Sequence, residues 1–429
     1  MTIHNLIWHP FTQHGVETER ILIKNAQGAC LYTQDNQEII DCISSWWTIT
    51  HGHNHPVLNH ALHQQIAQLS HVMFAGFTHD PALQLAQSLI AITNHHFHKV
   101  FFADNGSGAI EVALKMAYQY HYIGGHPEKT VFVALKGAYH GDTFGAMATG
   151  RTTGFYNPFE PFLCDVKFLD YPEYDSETDT DNLLMQEQQI YQQFTDIIEQ
   201  SAQKISCLIL EPLLQGASGM RLARPEFIKN ISQIARDANI LVIYDEVATG
   251  FARTGSLFAY QQVDFIPDFL CLSKGLTAGY LPLSVTLTQD KIYQAFLGKD
   301  FKNAFTHGHS FTANPLACTV ANASIALFKD FDEQQFRQKF IDLYRPVIEI
   351  LQSKTQISRI RHLGTMLAWT YNDSEQGYKS LKSEALKDKF LQQGLNIRPL
   401  GNHFYLMPPY CINEQHVDKI NKSINNIFY

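Results

Sequence analysis

Apolar residues fall in two kinds of run along the chain. Short unbroken runs at Lys99–Ala103, Thr130–Leu135, Cys207–Leu210, Ile240–Tyr244, Phe269–Leu272 and Leu283–Leu287 predict strands covered on both faces. Between them, apolar residues recur at helical spacing. Pro56 opens one such segment, with Val57, Leu58, Ala61, Leu62, Ile66 and Leu69 on one face. Pro81–Thr93, the segment carrying Val112, Leu114, Met116, Ala117 and Tyr120, a polar stretch over roughly 184–204, and Pro225–Ala238 predict further helices. Strands that alternate with helices predict an α/β fold with a parallel or mixed sheet. Residues 1–50 read as an irregular arm with a hairpin around Asp35-Asn36, and beyond about residue 330 the order becomes helix, strand, helix, strand. The acidic segment Glu173–Asn182 reads as a solvated excursion without a site.

Composition narrows the function classes. The chain has 429 residues, of which 45% are hydrophobic and 17% charged, as in globular proteins. A net charge of −9 without a basic run argues against a nucleic-acid partner. No apolar run approaches the ~20 residues of a membrane span, and the first residues lack the pattern of a signal peptide. Seven cysteines without a CxxC pair predict reduced thiols in a cytoplasm. The 21 histidines cluster at His51, His53 and His55 and at His95, His96 and His98, but in loop-like settings without matching ligand groups, so no metal site is expected.

The chemistry concentrates between Leu241 and Ala278. Asp245 ends one apolar run and Lys274 follows another, twenty-nine positions on. Each therefore stands at a strand's C-terminal end, where open α/β sheets place ligands. A carboxylate and an amine at neighbouring strand ends suit pyridoxal phosphate (PLP), which takes a lysine on its aldehyde and an acidic group at its ring nitrogen. Upstream, a strand, then Gly106-Ser107-Gly108, then a helix makes an anion site from backbone N–H groups. A dinucleotide fingerprint is the rival reading there, but the third glycine is missing.

The composite of IYDEVATGFARTG, PDFLCLSKGLTAG, YHGDTFGAM and EPLLQG resembles the class III aminotransferases. The resemblance covers nearly the whole chain. It implies a fold-type I PLP-dependent transferase: an α/β large domain with a mostly parallel seven-stranded sheet over 51–330, an N-terminal arm over 1–50 that joins the small domain, and a small α+β C-terminal domain over 331–429. It implies a homodimer with active sites at the interface. Lys274, Asp245 and Tyr139 become the catalytic residues. Gly106, Ser107, Tyr139, Asp245, Val247, Lys274, His309 and Ser310 become the cofactor-binding set. Ser310 is the hydroxyl that reaches the partner's phosphate, and His309 departs from the family's more usual proline. Glu211, at a strand end, fits a supporting place near the cofactor.

IWHPFTQ, SSWWTITHGHNHP and SHVMFAGFTH are similar to the branch of that family that acts in biotin synthesis. That branch aminates 8-amino-7-oxononanoate to 7,8-diaminononanoate, most members taking S-adenosylmethionine as donor and some taking lysine. The implied substrate-binding residues are Phe11, Trp46, Trp47, Tyr139, Asp142, Arg253, Lys274, Gly308 and Arg398. Arg398 would hold the keto acid's carboxylate through a bidentate pair. Phe11 stands where the branch often has tyrosine, so one hydroxyl is lost. An aminotransferase for other ω-amino acids or diamines, an aminomutase and a PLP-binding protein without turnover are the alternative readings.

Overall fold

Seven apolar segments line up in one sheet: β1 Lys99–Ala103, β2 Val131–Leu135, β3 Val166–Leu169, β4 Ile205–Leu210, β5 Leu241–Asp245, β6 Phe269–Leu272 and β7 Ser284–Thr288. A computed structural model provides the coordinates and describes residues 6–15, 20–151, 156–372 and 381–428. The expected arm's first five residues and positions 373–380 lie outside the described residues. The spatial order is β1-β7-β6-β5-β4-β2-β3. β7 runs antiparallel to both of its neighbours, and the pairings from β6 across to β3 are parallel. The mostly parallel seven-stranded sheet is as the family resemblance implies; the apolar runs mark six of its strands, and Val166–Leu169, interrupted by Lys167, is the seventh.

The unbroken apolar runs have a physical reason. Every position of β4, β5, β6 and β7 is buried. Alternate side chains enter different cores, because successive residues of a strand point to opposite faces. Leu208, Leu210, Val242, Tyr244, Leu270 and Leu272 share one cluster with Phe227 and Ile231 of the helix Pro225–Asp237. Cys207, Ile209, Leu241, Ile243, Phe269 and Cys271 share the other with Ile110, Leu114 and Ala117 of the helix Gly106–Ile123. Each fully buried large aliphatic or aromatic side chain contributes about 1.5–3 kcal/mol. Charged groups are thus kept off the buried faces of β4, β5 and β6 and stand at their ends.

The register of the central strands sets where those ends meet. Asp245 of β5 lies opposite Cys271 of β6, and Lys274 follows three residues later. A smaller sheet joins distant parts of the chain: Ile23–Gln27, Cys30–Thr33 and Glu38–Asp41 are completed by Leu395–Asn396, which pairs parallel to Glu38–Asp41. A three-stranded sheet of Ile357–Leu363, Met366–Tyr371 and His403–Leu406 packs beside it.

The acidic segment is solvated, as read: within residues 173–182 only Asp175 and Thr178 are not exposed. Arg359 pairs with Glu173 at 2.7 Å and with the well-buried Asp175 at 3.2 Å, pinning it to the three-stranded sheet.

Arg253 departs from its expected place at the substrate. It is 1% exposed and donates to the carbonyls of Pro408, Trp47 and Ile49, each at 3.0 Å. Its guanidinium lies 5.0 Å from the Tyr410 ring centroid. These carbonyls come from opposite ends of the chain, so the residue is a clamp rather than a substrate ligand. Arg253→Met should leave three inner carbonyls unpaired and destabilise the fold by roughly 3–5 kcal/mol in urea titration. A loss below about 1 kcal/mol together with weaker substrate binding would return Arg253 to the substrate site.

Candidate active site

Five strand ends deliver the polar groups to one cavity of about 400 Å³. Asp245 closes β5 and is almost fully buried, so its carboxylate needs partners. His140 Nδ1 lies 2.7 Å from one oxygen, and the Val247 N–H donates to the other at 2.9 Å. Nε2 of His140 is buried and has no hydrogen-bond partner. Lys274 adopts a left-handed backbone (φ 40°), and its Nζ stands 5.0 Å from the Trp47 ring centroid. Burial pulls the Lys274 amine below the ordinary lysine range, while Asp245 and Glu211 work in the opposite direction. A lysine with a depressed pKa is the more ready nucleophile and base.

The cavity's other end is a helix N-terminus. Asn105 caps the helix Gly106–Ile123 by accepting from the Gly108 N–H at 2.9 Å. Ser107 Oγ accepts from the Asp142 N–H at 3.3 Å. Two glycines are required by close approach. A Cβ on Gly106 would meet Val247 Cγ1 at 2.8 Å, and one on Gly141 (φ +125°) would collide with Ser107 Oγ. Backbone N–H groups can therefore face an anion closely.

A second cavity of about 760 Å³ shares Trp47, Thr48, Tyr139 and Lys274 with the first. The Tyr139 N–H donates to Glu211 at 3.1 Å, and its hydroxyl donates to Asp142 at 3.1 Å. Tyr156 donates to the other Asp142 oxygen at 3.2 Å. Phe11 and Trp46 meet edge to face with centroids 5.7 Å apart, and the Arg398 guanidinium lies 4.6 Å from the Trp46 centroid. Among the described residues no carboxylate pairs with Arg398. The tryptophans stand in an unusual turn. Ser44, Ser45, Trp46 and Trp47 have φ of 51, 45, 68 and 69°, a left-handed run without glycine. Such a conformation costs roughly 1–2 kcal/mol per residue, so it must be anchored from outside.

The structure thus brings together Lys274, Asp245, Val247, Tyr139, Gly106 and Ser107 at one cavity, and Phe11, Trp46, Trp47, Asp142 and Arg398 around the adjoining one. Arg253 lies behind Trp47, bound to its carbonyl. Gly308 and Ser310 are exposed and line neither cavity, while His309 pairs with Asp104 at 3.0 Å. His140, Tyr156 and Asp41 were not singled out by the sequence. His140 had a signal: it follows Tyr139 directly in a strand-end turn, where neighbouring side chains diverge.

The donor set fits pyridoxal phosphate: an enclosed amine, a buried carboxylate, an aromatic ring on the wall of the same cavity and a glycine-lined helix N-terminus. The chain belongs to the class III aminotransferase family, whose model matches residues 11–428. The chain is 41% identical to the adenosylmethionine-8-amino-7-oxononanoate aminotransferase of Synechococcus elongatus, across 100% of this chain and 99% of that protein. It is 38% identical to the enzyme of the same name from Helicobacter pylori, across 96% and 93%. The crystal structure of the Methanocaldococcus jannaschii enzyme of that name superposes with a TM-score of 0.90 at 30% identity, covering 99% of this chain and 97% of that one. A PLP-bound amine transaminase from an uncultivated Pseudomonas species superposes with a TM-score of 0.92 at 26% identity, covering 99% and 98%.

Glu211 carries a pH dependence. Burial, reinforced by Asp245, pushes its carboxyl up to about 7, against the opposing pull of His140 and two backbone N–H groups. A carboxyl raised on folding stabilises the protein below its unfolded pKa, and that stability is lost as pH rises through the folded value. Urea stability of the wild type should therefore fall between about pH 4.5 and about pH 7 relative to Glu211→Gln. Parallel pH profiles for the two proteins would remove Glu211 as the titrating group.

Proposed function

We propose that this aminotransferase converts 8-amino-7-oxononanoate to 7,8-diaminononanoate in biotin synthesis, with PLP as cofactor and S-adenosylmethionine as donor. The observation that carries the acceptor is the Trp46–Arg398 pair on the wall of the cavity that opens on Lys274. A guanidinium that pairs with no carboxylate among the described residues, resting on an indole beside further rings, suits a carboxylate at the end of an aliphatic chain. The names of the related enzymes support the same acceptor.

When bound, PLP supplies an electron sink and carries the amino group between donor and acceptor. The protein does the rest. Lys274 would hold the cofactor's aldehyde carbon and, when its amine is free, would move the proton at the reacting carbon. Asp245, fixed by His140 and Val247, would keep a proton at the ring nitrogen. Tyr139 would support the ring, and Gly106 and Ser107 would take the phosphate. Asp142, gripped by two tyrosine hydroxyls, faces the substrate's polar end. Arg398 orients the acceptor by its carboxylate, while Trp46, Trp47 and Phe11 exclude water. We read the exposed Ser310 as reaching the phosphate site of a second copy, with His309 anchored on Asp104, so the working unit is a homodimer. Seven free thiols suit the cytoplasm.

The experiment mixes PLP-loaded protein with S-adenosylmethionine, lysine or a simple ω-amino acid and follows the cofactor's visible absorbance. S-adenosylmethionine should bleach it, and 8-amino-7-oxononanoate should restore it. Lys274→Ala should lose both steps. Bleaching by lysine alone would change the donor. No return with this acceptor would move the protein to another class III activity.

Phe11 bears on the donor separately. A tyrosine there would restore a hydrogen bond worth about 0.5–1.5 kcal/mol. Phe11→Tyr should therefore raise kcat/KM for S-adenosylmethionine about two- to tenfold, with the acceptor constants unmoved. An unchanged donor constant would show that this hydroxyl is not used in donor recognition.

A further inference from the structure

We propose that Asp41 is a positioning residue for substrate recognition: it fastens together the two segments that carry Trp46 and Arg398. The inference rests on the reading of Arg398 as the carboxylate site.

Asp41 ends the strand Glu38–Asp41 and is 0% exposed. Both of its oxygens are engaged. Oδ2 accepts from Ser45 Oγ at 2.7 Å and lies 2.9 Å from His53 Nε2. Oδ1 accepts from Asn396 Nδ2 at 3.2 Å. Ser45 immediately precedes Trp46, and Asn396 stands two residues before Arg398. The Arg398 guanidinium in turn rests on the Trp46 ring at 4.6 Å from its centroid. A single buried carboxylate therefore grips a residue one position from Trp46 and another two positions from Arg398.

Two further observations give the grip a purpose. Trp46 sits in the left-handed run Ser44–Trp47, which does not persist without anchors. Ser44 is tied to the Met407 carbonyl at 2.7 Å and Trp47 to the Tyr405 hydroxyl at 3.1 Å, but Ser45, the residue next to Trp46, is tied among the described residues only to Asp41 and to Thr48 within the turn. Asn396 pairs with Asp41 in the parallel register, so the segment leading to Arg398 leaves the small sheet at this point. Burial raises the Asp41 carboxyl, but His53 and Ser45 outweigh it and leave the group below the usual carboxylate range. Neither Asp41 nor His53 lines either cavity, so their influence passes through Trp46 and Arg398.

The test measures binding of nonanoate and of nonanamide to the PLP-loaded protein by titration calorimetry. These probes share chain length and differ in the charged end that Arg398 would hold. Wild type should favour nonanoate, and Arg398→Ala should abolish the preference. Asp41→Asn and Ser45→Ala should weaken nonanoate roughly tenfold, the scale of one weakened charge-assisted hydrogen bond, and leave nonanamide unchanged. Asn396→Ala serves as the third variant if Asp41→Asn does not fold. A purely structural role would lower the melting temperature and leave the preference intact, and that result overturns the proposal. If wild type and Arg398→Ala show equal, absent preference, the carboxylate reading of Arg398 fails and this inference falls with it. If Arg398→Ala loses the preference while the Asp41, Ser45 and Asn396 variants keep it, this inference alone fails.

Discussion

The parallel register between β5 and β6 is the constraint on which the site depends. It sets the end of Leu241–Asp245 beside the end of Phe269–Leu272, and so brings Asp245 and Lys274 together although they are far apart in sequence. The same rule extends outward. Glu211 follows β4, the next strand in the sheet, and Tyr139–Asp142 follow β2, the strand beyond it. Both faces of the central strands are buried in apolar side chains, so these ends are where charge can stand. The sheet is in effect a ruler that spaces amine, carboxylate and ring.

Much of this was legible because it obeys short-range rules. Continuous apolar runs marked the central strands to within about two residues, and their ends marked Asp245 and Lys274. Gly106-Ser107-Gly108 was readable because a helix N-terminus has its own sequence signature. Other features were hidden for definite reasons. The left-handed run Ser44–Trp47 contains no glycine or asparagine, the residues that ordinarily announce positive φ. Arg253 looked like a ligand because its true partners are carbonyls brought from both ends of the chain, and a carbonyl carries no sequence identity. The acidic stretch near Glu173 is solvated as its composition suggested, but its ion pairs were hidden because Arg359, their partner, lies far downstream.

The site also illustrates how strain and burial are kept in balance. The left-handed turn, the inward carboxylates of Asp41 and Asp245 and the enclosed Lys274 each oppose folding locally. The two carboxylates are each held by several partners: Ser45, His53 and Asn396 around Asp41, and His140 and Val247 around Asp245. Local disfavour of this kind is tolerated where the surroundings over-determine the geometry, and such places tend to be functional.

The small sheet couples the chain's extremes, since Ile40 and Asp41 pair with Leu395 and Asn396. During synthesis the amino-terminal strands emerge first and must wait for almost the entire polypeptide before their parallel neighbour leaves the ribosome. Until then the turn bearing both tryptophans lacks part of its scaffold, and an apolar strand edge stays open to chance pairing. The substrate-recognition wall is therefore among the last parts of the molecule to be completed, well after the helices and strands around Lys274 are able to collapse. Partly made chains could already form a cofactor cradle while still lacking the means to choose a substrate.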